Sequence, residues 1–111
     1  MEKKSTIFCD IDGTLFIYRK FDTMLNTPPI LINSTADYIR ENHNQGNYIV
    51  FTTARPEKLR GFTILELFLN KIPYDQIVMG IGRGTRILIN DNEFEGENRA
   101  IAHSLKRDMG F

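Results

Sequence analysis

Short apolar runs that end in polar residues recur along this chain, and segments with helical spacing separate them. The runs cover residues 6–9, 48–51 and 87–89. Strands that alternate with helices form a parallel sheet with right-handed crossovers, because each helix carries the chain back to the start of the next strand. The carboxyl ends of parallel strands share one edge of the sheet, where open α/β sheets bind ligands. The sequence therefore predicts an α/β fold with a polar site at that edge.

The predicted elements are strands at 6–12, 48–53, 76–81 and 87–90 and helices that start near Ser34, at Pro56 and near residue 97. Ser34 is the predicted N-cap of the first helix, which Gly46 ends. The last helix covers about 97–108, with Gly110 as its stop. The second helix carries apolar residues at helical spacing, which predicts that they face the core: Leu59, Phe62, Leu65, Phe68 and Leu69. The stretch 13–33 is predicted to form a small hairpin over the site.

The first apolar run leads directly into Asp10-Ile11-Asp12-Gly13-Thr14-Leu15. Two carboxylates at positions i and i+2 project from the same side of an extended chain, close enough to share one divalent cation. Asp10 is then placed to attack a phosphorus atom, while Asp12 protonates the departing alcohol and later deprotonates the attacking water. Gly13 lets the chain turn sharply and brings backbone N–H groups up to phosphate oxygens. These residues predict a phosphate-handling site.

This run, set after a hydrophobic strand, resembles the first motif of the haloacid dehalogenase (HAD) superfamily, whose commonest members are magnesium-dependent phosphatases. The resemblance implies a Rossmann-like three-layer sandwich with a central parallel sheet, in which the first strand lies between the second and the fourth. It also implies one HAD-like hydrolase domain over residues 1–111 with no cap domain. The site of such a domain is either open to solvent and bulky substrates or covered by another subunit.

The segment Thr52-Thr53-Ala54-Arg55-Pro56 is similar to the second motif of that family. By this resemblance the hydroxyl of Thr53 and the N–H of Ala54 donate hydrogen bonds to a phosphate oxygen. Thr52 is the alternative donor. A purely structural reading also exists, since threonine favours strands and Arg55 can pair with a surface carboxylate.

The segment Asn90-Asp91-Asn92 follows the last apolar run and resembles the family's fourth motif, which often has two adjacent acids. The resemblance implies that Mg²⁺ is bound by Asp10, by the backbone carbonyl of Asp12 and by Asp91, with waters completing the octahedron. Asn90 supplies an oxygen but no charge, which predicts weaker metal affinity. On structural grounds alone, the segment is a good turn former.

The lysine of the family's third motif is missing from the loop before the last predicted strand. That loop contains two arginines among three glycines. Arg83 is the first choice as a substitute and Arg86 the second, because a guanidinium in a glycine-rich loop can reach a phosphate and keeps its charge. The substitution puts efficient catalysis in question.

Composition is compatible with one small enzyme domain. The chain has 111 residues, a formal net charge of zero and a single cysteine, Cys9. No basic block predicts nonspecific nucleic-acid binding, and Cys9 is predicted to be a core residue in a reducing compartment. Met1-Glu2-Lys3-Lys4 precedes the first strand with no signal-peptide core, and no apolar run is long enough to cross a membrane. The sequence therefore predicts a cytoplasmic protein without a membrane partner.

The favoured function is a Mg²⁺-dependent phosphomonoesterase that acts through an aspartyl-phosphate intermediate. Its expected substrate is a phosphorylated small molecule, with a nucleic-acid end as the alternative, and the sequence does not identify the compound. The first alternative is a phosphate- or nucleotide-binding module with little turnover, suggested by the missing lysine and by Asn90. A receiver-type signalling domain is the third reading, but the chain lacks its phospho-acceptor on a middle strand and its lysine near the end.

Overall fold

Three parallel strands form the sheet of the computed structural model, which describes residues 4–111. Strand β1 is Thr6–Asp10, β2 is Tyr48–Thr52 and β3 is Gln76–Val78. The order is β1-β2-β3, with Cys9 opposite Phe51 and Phe51 opposite Ile77. The α/β class and three predicted strands are thus confirmed. The start of the chain at residues 1–3, where the sequence predicts no signal peptide, lies outside the described residues.

Two α-helices connect the strands, α1 at Asn33–Asn44 and α2 at Arg60–Leu69. Ile32 is the N-cap of α1. Ser34 was the wrong choice for that role, because its hydroxyl accepts a hydrogen bond from the N–H of Phe111 at 3.0 Å. Gly46 does follow the helix end, with a φ of 86°. Within residues 4–111, no helix has both the length and the hydrophobicity to cross a membrane.

The core packs α1 and α2 against the sheet. Fully buried apolar side chains from each region meet there: Ile11, Leu15, Phe16, Ala36, Ile39, Ile49, Phe51 and Leu67. Cys9 belongs to the same cluster, and burial raises the pKa of its thiol to about 12. A thiol with so high a pKa is almost wholly protonated at neutral pH. The predicted core role of Cys9 is therefore confirmed.

Helix α2 turns a different face inward than its apolar spacing predicts. Phe68 is 74% exposed, and Leu65 and Leu69 are exposed as well. The residues that it buries are Thr63, Glu66 and Leu67. The reason is electrostatic, because Thr63 and Glu66 both bind the side chain of a buried arginine, Arg55. An unpaired buried charge costs more than the exposure of a few apolar side chains.

No strand forms at 87–90 and no helix at 97–108. Both predictions were wrong. Arg86 donates hydrogen bonds to the carbonyls of Gly82 and Gly84, which folds this loop on itself, and Ile89 is 91% exposed. Strand β1 therefore lies at the edge of the sheet, whereas the sequence reasoning placed it in the centre.

Residues 106–111, here called the tail segment, dock on the loop that follows β1. The Asp108 N–H donates to the Gly13 carbonyl at 2.8 Å, and the Asp108 carboxylate accepts from the Tyr18 N–H at 2.7 Å. Phe111 stacks on Tyr38 with ring centroids 4.5 Å apart. Asp108 adopts a φ of 67°, which no α-helix tolerates. These contacts replace the predicted last helix.

Candidate active site

An open cleft of about 230 Å³ lies where β1 and β2 end. Its lining contains six of the residues named from the sequence, Asp10, Asp12, Thr53, Ala54, Arg83 and Arg86. The other lining residues are Tyr18, Phe21 and Arg107. A second cavity of about 200 Å³ borders the same two aspartates and includes Gly13. The parallel strands therefore bring the segments that follow β1 and β2 to one edge of the sheet, as the sequence predicts.

The loop after β1 is anchored on both sides of the carboxylates. Ile11 and Leu15 are buried, and the Leu15 N–H donates to the Ile11 carbonyl at 2.8 Å. Gly13 has a φ of 89°, a conformation that favours glycine. Its N–H donates to the Phe16 carbonyl at 2.7 Å. Gly13 therefore shapes the turn, as the sequence predicts, and its own N–H is used within the loop.

Asp10 is a half-buried carboxylate at the end of β1. Burial raises its pKa above the ordinary value, while a hydrogen bond from the Thr14 hydroxyl and the charge of Arg86 act in the opposite direction. The Thr14 hydroxyl lies 3.2 Å from Oδ2, and an Arg86 Nη atom lies 3.8 Å from Oδ1. A partly desolvated carboxylate is a better nucleophile than one fully surrounded by water.

The side chain of Asp12 is fixed by Arg55. Both Asp12 oxygens accept hydrogen bonds from the guanidinium, at 2.9 Å from Nε and 2.8 Å from Nη2. Arg55 is 0% exposed, so its partner is no surface carboxylate and the structural reading of this residue was wrong. Burial alone would lower the pKa of Arg55, but the hydrogen bonds and charges of Asp12 and Glu66 outweigh it and raise the pKa.

The pairing continues into the protein as a buried ion-pair chain, defined here as Asp12, Arg55, Glu66 and Arg19. Arg55 Nη1 lies 2.8 Å from the Glu66 carboxylate, and Arg19 Nη2 lies 2.9 Å from it. Arg19 also donates to the carbonyl of Thr27 at 2.7 Å. Alternating charges in this order compensate one another where water is excluded. Sequence reasoning missed Glu66 and Arg19, because neither lies in a motif.

Thr53 and Ala54 stand at the carboxyl end of β2. The Thr53 N–H donates to the Val78 carbonyl, which holds this residue between β2 and β3. The Thr53 hydroxyl oxygen accepts a hydrogen bond from the Arg55 N–H at 3.1 Å. Because that bond uses a lone pair, the hydroxyl proton remains a donor toward the cleft.

Three arginines line the cleft, and they differ in position. Arg86 is the one that approaches Asp10, although the sequence favoured Arg83 as the substitute for the missing lysine. The guanidinium of Arg83 lies 4.5 Å from the centroid of the Phe21 ring. Arg107 lies 4.3 Å from the centroid of the Tyr18 ring. No motif pointed to Arg107, which reaches the cleft only because the tail segment docks there.

Asp91 does not line the cleft. Its side chain is 82% exposed and lies 3.6 Å from Arg99. The amide of Asn90 donates to the backbone carbonyl of Asp91. Within residues 4–111, no three His, Cys, Asp or Glu side chains are grouped to hold a metal ion. The predicted set of Asp10, Asp12 and Asp91 is thus not assembled, because residues 87–90 do not join the sheet that would deliver Asp91.

Comparisons with known proteins give information on the fold alone. No family model matches the chain, and no curated protein matches it. One similar solved structure is the Pnkp1/Rnl/Hen1 complex, with a TM-score of 0.62 and 23% identity over 76% of this chain. This chain spans 30% of the matched chain in that complex. Another is a crystallised Vibrio cholerae protein, with a TM-score of 0.55 and 24% identity over 75% of this chain and 78% of the other. At these identities the likeness establishes an α/β fold with a parallel sheet.

Proposed function

We propose that this protein is a Mg²⁺-dependent phosphomonoesterase of the HAD type, a single hydrolase domain that acts through a phosphorylated Asp10. The observation that carries the proposal is the position of Asp10, which shares one cleft with an immobilised second carboxylate, a hydroxyl donor and three guanidiniums. A nucleophile, an acid or base, and donors for phosphate oxygens are the components that phosphoryl transfer requires. We also propose the three-layer sandwich of that family as the architecture of this domain.

The first chemical step is attack by an Asp10 oxygen on phosphorus. The new bond joins that oxygen to phosphorus as the ester P–O bond breaks, and the departing alkoxide takes a proton from Asp12. Water then attacks the phosphorus of the aspartyl-phosphate and gives a proton to Asp12. The bond between phosphorus and the Asp10 oxygen breaks, which releases inorganic phosphate and restores the Asp10 carboxylate. Thr53 and Ala54 donate to phosphate oxygens in this scheme, and Arg86 supplies positive charge beside Asp10.

The contact with Arg55 orients Asp12 for this role. Arg55 uses one lone pair on each Asp12 oxygen. A carboxylate oxygen has a second lone pair, so proton exchange with the leaving group remains chemically open. Because Arg55 is buried and held by Glu66, the direction of the Asp12 carboxylate is set by the protein interior. Asp12 needs such orientation to reach the leaving oxygen.

The residues at this edge fit a magnesium ion that is bound together with substrate. The Asp10 carboxylate faces the cleft, whereas both oxygens of the Asp12 side chain are held by Arg55, which leaves Asp12 its backbone carbonyl as a ligand. Mg²⁺ commonly takes one or two carboxylates and completes its shell with water and substrate phosphate. When bound, it offsets the charge of Asp10 and of the phosphate.

The second candidate function is a phosphate- or nucleotide-binding module with little turnover. The position of Asp91 outside the cleft favours it, because a site with fewer acidic ligands holds the metal more weakly. The arginines would still bind phosphate in such a module. Measurement of turnover separates the two functions.

The test is hydrolysis of a panel of phosphomonoesters with Mg²⁺, with and without EDTA, by the protein and by Asp10→Asn. We expect release of phosphate that EDTA and Asp10→Asn both abolish. Asp37→Asn is the matched control, because Asp37 is an exposed carboxylate outside the cleft. Full activity in EDTA would exclude the proposed mechanism. Binding of phosphate esters without any turnover would establish the second candidate.

A further inference from the structure

We infer that the cleft accepts a phosphomonoester that carries a second phosphate group, and that Arg107 and Arg83 bind this second group. The inference rests on the proposed function for the reacting phosphate alone. It follows from the positions of the three arginines that line the cleft, because one of them lies beside Asp10 and the other two do not pair with it.

The reacting phosphate already has its own donors. Thr53, Ala54 and Arg86 line the cleft beside Asp10, and Arg86 is the arginine within ion-pair distance of it. Among residues 4–111, no carboxylate lies within ion-pair distance of Arg83 or Arg107. Two guanidiniums that face a cleft without an acidic partner are an anion site in excess of what one phosphate requires.

Aromatic rings hold these two guanidiniums in place. Arg107 stacks on Tyr18 and Arg83 stacks on Phe21, and Arg83 also donates to the Tyr18 hydroxyl at 3.4 Å. A stacked guanidinium keeps its N–H edge available, and that edge matches two oxygens of a phosphate. The rings therefore reduce the conformational freedom that the arginines lose when they bind an anion.

The tail segment places Arg107 through the contacts of the next residue, Asp108. Asp108 pairs with the backbone of Gly13 and of Tyr18, so the neighbour of Arg107 is bound to the loop that follows Asp10 and contains Asp12. Gly13 leaves room for the arginine, since a Cβ atom there would lie 3.2 Å from Arg107 Cγ. The contacts of Asp108 and the absence of a side chain at Gly13 together fix the position of Arg107 over this loop.

Two pairs of substrates test the inference. Glucose 6-phosphate is compared with glucose 1,6-bisphosphate, and adenosine 5′-monophosphate with adenosine 3′,5′-bisphosphate. We expect kcat/KM to be about tenfold higher for the bisphosphate, which is the effect of one additional charge-assisted contact. A gain in both pairs identifies the phosphate as the recognised group, and a gain in the adenosine pair alone assigns it to nucleotides. Equal values within both pairs would overturn the inference.

Variants connect the preference to Arg107. Arg107→Ala is expected to remove most of the gain for bisphosphates, and Arg107→Lys to retain part of it, because the charge persists without the planar fork. Lys106→Ala is the control. It also removes one positive charge, but Lys106 is exposed and does not line the cleft. If Arg107→Ala keeps the preference while its circular dichroism spectrum is unchanged, the assignment is wrong.

Calorimetric binding to Asp10→Asn separates this inference from the proposed function. In this variant the bisphosphates should bind about tenfold more tightly than the monophosphates even though turnover is absent. A binding preference without hydrolysis by the unmodified protein would refute the phosphatase and support the second phosphate site. Hydrolysis of all four compounds with equal binding would do the reverse.

Discussion

Asp10 carries a cost for stability that follows from its place at the end of β1. Its pKa is raised in the folded protein above the ordinary 3.8, with burial as the largest cause. The folded state therefore holds this proton more tightly than the unfolded state, and stability falls as pH rises through and above 3.8. The ionised form at neutral pH is the reactive form and also the destabilising one.

We therefore predict that Asp10→Asn raises the melting temperature at neutral pH while it abolishes turnover. The increase should shrink as pH falls toward 3.8 and disappear below that pH, where Asp10 is protonated in both states. Thermal unfolding in EDTA across this pH range measures it, with Asp37→Asn as the exposed control. A lower melting temperature of Asp10→Asn at pH 7 would contradict the account.

The geometry reverses the order of the two arginines that the sequence proposed. Arg86 approaches Asp10, whereas Arg83 stacks on Phe21. Loss of one preorganised donor to the transition state costs on the order of tenfold to a thousandfold in rate. We predict a decrease of that size in kcat for Arg86→Ala on a monophosphate and a smaller one for Arg83→Ala. A large loss of kcat in Arg83→Ala together with an unchanged kcat in Arg86→Ala would instead make Arg83 the substitute for the missing lysine.

Arg55 is a positioning residue, because it acts through Asp12. Arg55→Lys keeps the charge but loses the two-point contact with the carboxylate. We predict that kcat falls by up to about a hundredfold with little change in KM, and that the pH profile of kcat shifts. Arg19→Lys is the matched control, since it perturbs the other end of the ion-pair chain. Equal kcat values for the two variants would indicate a structural role for Arg55.

At the scale of elements, the hydrophobic pattern of a short segment predicted the features that depend on that segment alone. The apolar runs at 6–9 and 48–51 formed β1 and β2, the predicted strand at 76–81 contains β3, and Gly46 marked the end of α1. The inward face of α2 was not predictable from apolar spacing, because it depends on an ion pair between Glu66 and Arg55, 11 residues earlier in the chain. Residues 87–90 are a second example, because an apolar run does not by itself show whether the segment pairs with the edge of a sheet.

Residues 87–90 give a test of the sheet itself. These residues are not paired with β1 and are exposed, so we predict that their amide hydrogens exchange much faster than those of Ile49, Val50 and Phe51 in the central strand. Hydrogen–deuterium exchange followed by NMR or mass spectrometry measures the difference. Protection of Leu88 and Ile89 equal to that of β2 would instead show a fourth strand beside β1.

At the scale of the whole molecule, the site combines parts that sequence motifs identify with parts that only the fold brings together. Asp10, Asp12, Thr53 and Ala54 follow strands of one parallel sheet, and for that reason their meeting was predictable. Arg107 comes from residues 106–111, and Glu66 and Arg19 come from a helix and a loop with no motif. Contacts over such separations depend on the complete packing of the chain.

The most direct test of the central claim is the structure of the protein with Mg²⁺ and beryllium fluoride, which mimics a phosphoryl group on a carboxylate. We expect beryllium fluoride bound to an Asp10 oxygen, with Thr53 and Ala54 donating to its fluorine atoms and Arg86 beside it. The Asp12 carboxylate should keep its contact with Arg55. An adduct on any other residue, or identical behaviour of the protein and Asp10→Asn toward beryllium fluoride, would contradict the assignment of Asp10 as the nucleophile.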